Sequence, residues 1–380
     1  MTGSEGFLGR NLCVALSRCE GIKILRFDVQ NSPEELELQV AQADFIFHLA
    51  GVNRPKDEKE FAEGNTDLTR LLCSFSEKHN CRAPILLSSS TQAASDNAYG
   101  RSKREAEDVL IDYSRRTGIP VFMYRFPNLF GKWSRPNYNS VVSTFCYNVT
   151  HNLPIQVNDP SHTVTFAYVD DVVDECLRQL QGAGHGEPGS GGELGARTQY
   201  YYEIAETYSV SLGRLAGLVN AFRAVRDGGS MPDLADPFTK KLYATFLSYY
   251  ETDAFAYPAK MNTDNRGWLF ELIKSEQFGQ IFVSQTHPGV TRGNHGHNTK
   301  VEKFCVIQGR GTIRFRHVVT NEICSYDVSG ETIQIVDIPP GYTHSIENTG
   351  DTEMITLFWA NEIFNPARPD TYFEPVLDGR

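Results

Sequence analysis

The sequence predicts an α/β doubly wound parallel sheet followed by an all-β sandwich or barrel. Three observations carry this. Residues 1–180 alternate short apolar runs with amphipathic stretches, the rhythm of βαβ units. From Gly267 onward, short alternating strands follow one another with turns between them and no helical interruption. At 380 residues the chain is long enough for two cores. We place the boundary after residue 255, giving domains 1–255 and 256–380, and find no internal repeat.

The runs Ile22–Phe27, Phe45–Ala50, Ile85–Ser88 and Val121–Arg125 read as buried strands, since continuous apolar runs suit a sheet covered on both faces. Between them, Pro33–Ala43, Thr66–Lys78 and Ser102–Thr117 carry helical periodicity. The glycine-rich stretch Gln181–Arg197 is an insertion with loop composition. Helical patterns return at Leu212–Val225 and Phe238–Tyr250. Strands are expected at Gln280–Gln285, Glu302–Ile307, Gly311–His317, Thr332–Ile338 and Met354–Trp359.

A net charge of −11 argues against nucleic acid or an anionic membrane surface as the main partner. A phosphorylated ligand would then need a local basic or amide-lined pocket. No secretory signal or bilayer-length apolar run is legible, so a cytoplasmic protein without membrane insertion is expected. The eight cysteines form no C-x-x-C pair and mostly fall in apolar patterns, as reduced buried thiols would.

Gly3, Gly6 and Gly9 form a Gly-x-x-Gly-x-x-Gly turn that leads into a helix through Phe7 and Leu8. Such a turn lets backbone approach a pyrophosphate at a helix N-terminus. A strand should precede it, yet only Met1 and Thr2 do. A start lying upstream is the preferred reading; a sheet without its first strand is the alternative. Arg26 and Asp28 both follow the second apolar run, so a base for NADP and an acid for NAD are both on offer. Tyr99 and Lys103 stand four apart, on one face of a helix. The ammonium can lower the phenol pKa, so that Tyr99 exchanges a proton with a carbonyl oxygen while hydride moves. The hydroxyls of Ser88, Ser89 and Ser90 end the preceding strand and could bond the same oxygen.

These residues resemble the extended short-chain dehydrogenase/reductase family, a Rossmann-like fold. The fit continues in His48-Leu49-Ala50-Gly51, in Tyr124-Arg125-Phe126-Pro127-Asn128-Leu129-Phe130-Gly131-Lys132, and in Tyr168-Val169-Asp170-Asp171. The resemblance implies cofactor contacts at Leu49, Ala50 and Gly51 and makes Ser89, Ser90, Tyr99 and Lys103 the catalytic candidates. It implies substrate contacts at Asn128, with Arg125 and Lys132 beside it.

In the last third, Gly289-x5-His295-x-His297-x4-Glu302-x6-Gly309 precedes Pro339-Pro340-Gly341-Tyr342-Thr343-His344. Residues two apart on a strand share a face, so His295 and His297 can enter one cavity. With Glu302 and His344 they make a divalent-metal ligand set. Imidazole and carboxylate without thiolate suit zinc, manganese, nickel or iron, and zinc fits best a reaction without redox change. Tyr342 and Lys303 flank ligands and are candidate proton carriers. The spacing resembles the cupin motifs, which imply a jelly-roll (double-stranded β-helix) domain. Gly330 lies farther from Pro339 than that pattern has it, a difference of hairpin length.

The two halves together resemble the CapF-type enzymes of bacterial capsular polysaccharide synthesis. Further matching stretches are His48–Pro55, Pro127–Trp133, Pro136–Ser140, Gln156–Asn158 and Pro369–Phe373. The resemblance implies a cupin that epimerises C3 of a UDP-2-acetamido-2,6-dideoxy-4-hexulose. It implies a reductase domain that then reduces the C4 ketone with NADPH, NAD not being excluded, to UDP-2-acetamido-2,6-dideoxy-L-talose. That product leads to N-acetyl-L-fucosamine. A homodimer is expected, since both folds commonly pair. The order follows from chemistry: the C4 ketone stabilises the enediolate formed when C3 loses its proton, and reduction removes that activation. Alternatives are a dTDP- or GDP-linked 4-ketosugar 3,5-epimerase/4-reductase and a non-catalytic nucleotide or sugar sensor.

Overall fold

A computed structural model of the chain describes residues 1–182 and 200–377. From residue 183 onward, the glycine-rich insertion expected at 181–197 lies outside the described residues. The chain divides into two compact units, one of residues 1–219 and 241–250, the other of 220–240 and 251–380.

In the first unit, α1 (Phe7–Leu16) and α2 (Pro33–Val40) precede β1 (Ile46–His48). Ser32 and Glu35 close a capping box over α2, and Pro33 occupies its first turn. A short α3 (Lys59–Phe61) runs through a π-helical turn, Ala62–Asp67, into α4 (Leu68–Lys78). Next come β2 (Ile85–Ser90), α5 (Ala98–Thr117), β3 (Val121–Phe126), β4 (Asn128–Phe130) and α6 (Val141–Thr150). The unit continues with β5 (Thr163–Tyr168), α7 (Val169–Leu180), β6 (Tyr201–Tyr202) and β7 (Tyr208–Ser211). Asn97 caps α5 through the Gly100 amide, so this helix starts four residues before the periodicity shows it. Two further α-helices are α8 (Leu212–Val225) and α9 (Pro237–Leu247).

The main sheet has the order β1-β2-β3-β6, all parallel. Thr2 bridges Phe27 on one side and His48 on the other, in parallel sense on both. From Thr2 the chain therefore passes first to one neighbour and later to the opposite one, the switch point at which doubly wound sheets bind ligands. The strand expected at Ile22–Phe27 is reduced to that single bridge at Phe27. Met1, Thr2 and Ser4 pair with it: the Phe27 N–H donates to Met1 O at 2.9 Å, the Ser4 N–H to Phe27 O at 3.4 Å, and the Met1 amine to Leu25 O at 2.7 Å. A cavity of about 360 Å³ lies alongside, between this segment and β1. A smaller sheet, β4-β5-β7, carries Asn128.

Behind the main sheet sits a buried charge cluster. Glu107 of α5, wholly buried (0% exposed), takes both arms of the Arg125 guanidinium, at 2.9 and 2.6 Å, and the hydroxyls of Ser89 at 2.5 Å and Tyr201 at 2.9 Å. Removing one partner of such a pair strands the other charge in low dielectric. Glu107→Gln is expected to cost about 3–5 kcal/mol of stability, read as a lower urea midpoint.

The second unit is two antiparallel sheets. One has the order β15-β12-β17-β10-β9-β8, comprising β8 (Asn262–Asp264), β9 (Gly267–Ser275), β10 (Gly279–Thr286), β12 (Glu302–Gln308), β15 (Ile335–Ile338) and β17 (Met354–Ala360). The other, β14-β13-β16-β11-β18, comprises β11 (Thr291–Gly296), β13 (Arg310–His317), β14 (Ile323–Ser329), β16 (Tyr342–Asn348) and β18 (Tyr372–Phe373). Phe304, Val306 and Phe358 from the first meet Ile313, Phe315 and Ile346 from the second in one apolar core. Among the described residues no helix is long and apolar enough to cross a membrane.

Candidate active sites

The glycine turn follows Thr2 at the switch point. Gly3 has φ +70°, and a Cβ there would lie 2.6 Å from the Ala50 backbone nitrogen, so the turn and the Leu49–Ala50 segment require glycine at this crossing. Helix α1 starts with no side-chain cap and no acid in its first turn, leaving its free N–H groups for an anion. Asp28 accepts the Glu5 N–H at 2.7 Å, and Glu5 draws Arg10 to 3.7 Å and Arg26 to 4.0 Å. Gly3, Gly6, Phe7, Leu8, Gly9, Arg26 and Asp28 thus gather around one turn, and its open amides fit a dinucleotide.

On the far side of Thr2, its hydroxyl meets His48 Nδ1 at 2.7 Å and accepts the Ala50 N–H at 3.2 Å, while His48 Nε2 meets Thr69 at 2.9 Å. Burial, aided by the nearby Lys103 charge, lowers the His48 pKa to about 3, so this imidazole is a neutral connector. Gly51 then passes directly over Lys103: a Cβ at Gly51 would sit 2.8 Å from Lys103 Nζ.

Lys103 is 5% exposed and donates to Ser88 O at 3.1 Å. Burial lowers its pKa to about 8, and Glu107 partly opposes this. Tyr99 lies one turn before it on α5 and packs 5.6 Å from Phe61, centroid to centroid. Burial raises the phenol pKa, and the Ser90 hydroxyl acts in the opposite direction. The lowering expected from Lys103 is therefore not what dominates at Tyr99.

Adjacent serines on β2 go to different partners. Ser90 belongs with Tyr99, whereas Ser89, 4% exposed, donates to Glu107. Arg125 is held by that same carboxylate, and Lys132 by Asp170 at 2.5 Å. Of the three substrate candidates, Asn128 lines an open cavity of about 900 Å³ that Arg125 and Lys132 do not reach. Arg54, Thr91, Tyr138, Asn139 and His162 line it too. The sequence reading passed over these as individual residues, although Arg54, Tyr138 and Asn139 stand inside the stretches that carried the family resemblance.

In the second unit, strand β11 ends at Gly296, after a bulge between Gly293 and His295, so His297 lies just beyond it rather than on it. The two rings still meet, at 5.0 Å between centroids. His295 is opposite His344 of β16 in the ladder, and Glu302 opens β12 of the other sheet. One ligand atom from each of His295, His297, Glu302 and His344 lies within 4.8 Å of the others.

Hydrogen bonding tests the fit to a metal. His297 Nδ1 meets the Asp370 carbonyl oxygen at 2.6 Å, and a carbonyl only accepts, so Nδ1 carries the proton. In the neutral ring Nε2 is then a lone pair, and its neighbour at 3.3 Å is Glu302 Oε2, another lone pair. His344 is buried with neither ring nitrogen hydrogen-bonded. A cation between these atoms would satisfy His297 Nε2, Glu302 Oε2 and, of the two His344 nitrogens, Nε2, which lies 3.4 Å from the same oxygen. Burial, with the neighbouring imidazoles, lowers the His295 pKa to about 4, and burial lowers that of His344, so both rings are neutral donors. Tyr342 points its ring at His317, 5.0 Å away, and Lys303 pairs with Asp337 at 2.5 Å.

Residues 1–190 match the NAD dependent epimerase/dehydratase family, and residues 262–372 match the polysaccharide biosynthesis C-terminal domain. Over 379 residues, 100% of this chain and 99% of the relative, the sequence is 40% identical to the UDP-2-acetamido-2,6-beta-L-arabino-hexul-4-ose reductase of Pseudomonas aeruginosa. The crystal structure of the capsular polysaccharide assembling protein CapF from Staphylococcus aureus superposes with a TM-score of 0.89 at 45% identity, covering 99% of each chain. The UDP-glucose 4-epimerase of Thermotoga maritima, at 17% identity and a TM-score of 0.51 over 65% of this chain and 97% of its own, shares the fold alone.

Proposed function

We infer the function from one premise: this chain belongs to the CapF-type family of capsular polysaccharide proteins, with an N-terminal part of the NAD dependent epimerase/dehydratase family. It is an oxidoreductase of the reductase/epimerase type, using a nicotinamide cofactor on a nucleotide-sugar.

In finer detail, the second unit epimerises C3 of a UDP-2-acetamido-2,6-dideoxy-4-hexulose, and the first unit then reduces C4 to give UDP-2-acetamido-2,6-dideoxy-L-talose. The observation that carries this reading is the buried Lys103 one turn after Tyr99 on α5, with the Ser90 hydroxyl acting on that phenol and the polar cavity lined by Asn128 beginning at the next residue, Thr91. The glycine turn of Gly3, Gly6 and Gly9 would hold NADPH, which would supply the hydride when bound. Arg26 and Arg10, both drawn to Glu5, support the phosphorylated cofactor. Ser90 and Tyr99 hold the C4 oxygen, and the phenol, protonated at neutral pH, gives it the proton. Ser89 and Arg125, engaged by Glu107, brace the strands behind.

At the other site, a divalent metal, zinc being the proposed ion, would supply Lewis acidity at the C4 oxygen and make the C3 proton removable. His295, His297, Glu302 and His344 would hold it. Tyr342, two residues from His344 on β16, remains the proposed proton carrier; Lys303, exposed beside the buried Glu302 and paired with Asp337, faces away from the ligands.

The reduction rate has an expected pH limb. Lys103 is an ammonium below about 8 and loses its charge as pH rises through that value. The turnover number should therefore fall above it, by up to tenfold per pH unit. Lys103→Arg, which cannot deprotonate, should flatten the limb at whatever rate it retains.

The deciding experiment couples an upstream dehydratase to this protein with UDP-N-acetylglucosamine, following NADPH oxidation and product configuration by NMR. Expected is stoichiometric NADPH loss with inversion at C3. Retention at C3 removes the epimerase step. Turnover only of dTDP- or GDP-linked ketosugars replaces the substrate, and no oxidation with any ketosugar revives a sensor.

A further inference from the structure

Pro369–Phe373 matched the family without a chemical reason in the sequence, and the structure places its aspartate against the candidate metal site. Three consecutive backbone N–H groups, of Asn298, Thr299 and Lys300, donate to the Asp370 carboxylate at 3.1, 2.9 and 2.8 Å. The Thr299 hydroxyl adds a fourth donor at 3.1 Å. The carbonyl oxygen of this same residue takes the His297 Nδ1–H. Asp370 holds a left-handed φ of 36°, uncommon for a side-chain-bearing residue and consistent with a position fixed from several directions. Lys300, 5% exposed, donates to Pro369 O and Thr371 Oγ1, both at 3.3 Å. Beyond it, Tyr372 and Phe373 pair with Gly296 and His295. The segment thus grips the ligand strand on both sides of His297.

We propose that Asp370 is a positioning residue that sets the tautomer and aim of His297, and so the affinity of the site for a divalent cation. This rests on the metal reading above. The carboxylate gathers three amides into a nest, which fixes residues 298–300 and with them the place of the Asp370 carbonyl. That carbonyl selects the Nδ1–H form of His297 and presents its Nε2 lone pair to the same point as Glu302. Partners of this kind, one bond removed from the metal, are typically worth 10–100-fold in affinity.

The test is Zn²⁺ binding to the full-length, metal-stripped protein, measured by chelator competition, with the Co²⁺ visible spectrum as a reporter of ligand geometry. Asp370→Ala should bind Zn²⁺ about 10–100-fold more weakly and alter the Co²⁺ bands. Asp370→Asn keeps an acceptor oxygen for the amides and should restore part of the loss; it decides the matter if the alanine variant does not fold. Glu374→Gln removes the charge that Arg316 pairs with at 2.8 Å, farther along the same segment, and should leave Zn²⁺ affinity unchanged. If the wild type takes up no Zn²⁺, the metal reading falls and this one with it. If the wild type binds but both Asp370 variants bind within twofold of it, only the positioning role falls. Equal weakening by Glu374→Gln would overturn it too, by showing a merely structural strap.

Discussion

Tyr99→Phe stops NADPH oxidation, by a factor of about 10²–10⁴, and leaves deuterium exchange at C3 running in D₂O. The substitution removes only the phenolic oxygen. The ring still packs on Phe61, and Lys103 keeps its bond to Ser88 O, so fold and cofactor turn should survive. What disappears is the proton donor for the developing C4 alkoxide. Exchange at C3 is assigned to ligands in the other compact unit and does not pass through this phenol. Stopped-flow NADPH absorbance and NMR on the same sample read the two activities together. Loss of both in a folded variant means the two steps are not separable in this way.

His295→Ala should give the mirror image: no C3 exchange, with hydride transfer to a supplied, already epimerised ketone intact. His295 faces His344 across the ladder and supplies one of four ligand atoms that lie within 4.8 Å of one another, so alanine removes a donor and opens a void. Three remaining ligands can hold an ion weakly, so bound metal should fall along with exchange. A chelator acting on the wild type should copy the variant. If exchange continues with no metal bound, the cluster is structural and the epimerisation lies elsewhere.

The ligand motif was legible because its spacing is local: three of four ligands fall within eight residues, and the fourth follows a proline-glycine turn. The parallel sheet was legible because apolar runs and helical periods alternate for 180 residues. What sequence could not separate was the serines at 88–90. Adjacent strand positions face opposite ways, and only the register shows Ser90 facing Tyr99 and Ser89 facing Glu107. Arg125 looked available for substrate because its partner stands 18 residues back, on a helix whose packing no local pattern reveals. Asp370 was invisible as a functional residue for the same reason, its partners lying some 70 positions earlier. The strand expected at Ile22–Phe27 has the right composition. Its ladder is a single bridge, Thr2 to Phe27, and hydropathy does not report on neighbours.

Gly51 shows how such a site constrains its own variation. Any side chain there would occupy the space of the Lys103 ammonium, whose helix begins nearly fifty residues later. In a saturation survey, Gly51 should therefore score with the chemically active positions despite contributing no functional group. The same holds for Gly3, where the backbone of Ala50 leaves no room. At both positions the working part of the residue is an absence, and a search confined to titratable side chains would pass over two places where this active site has little room for change.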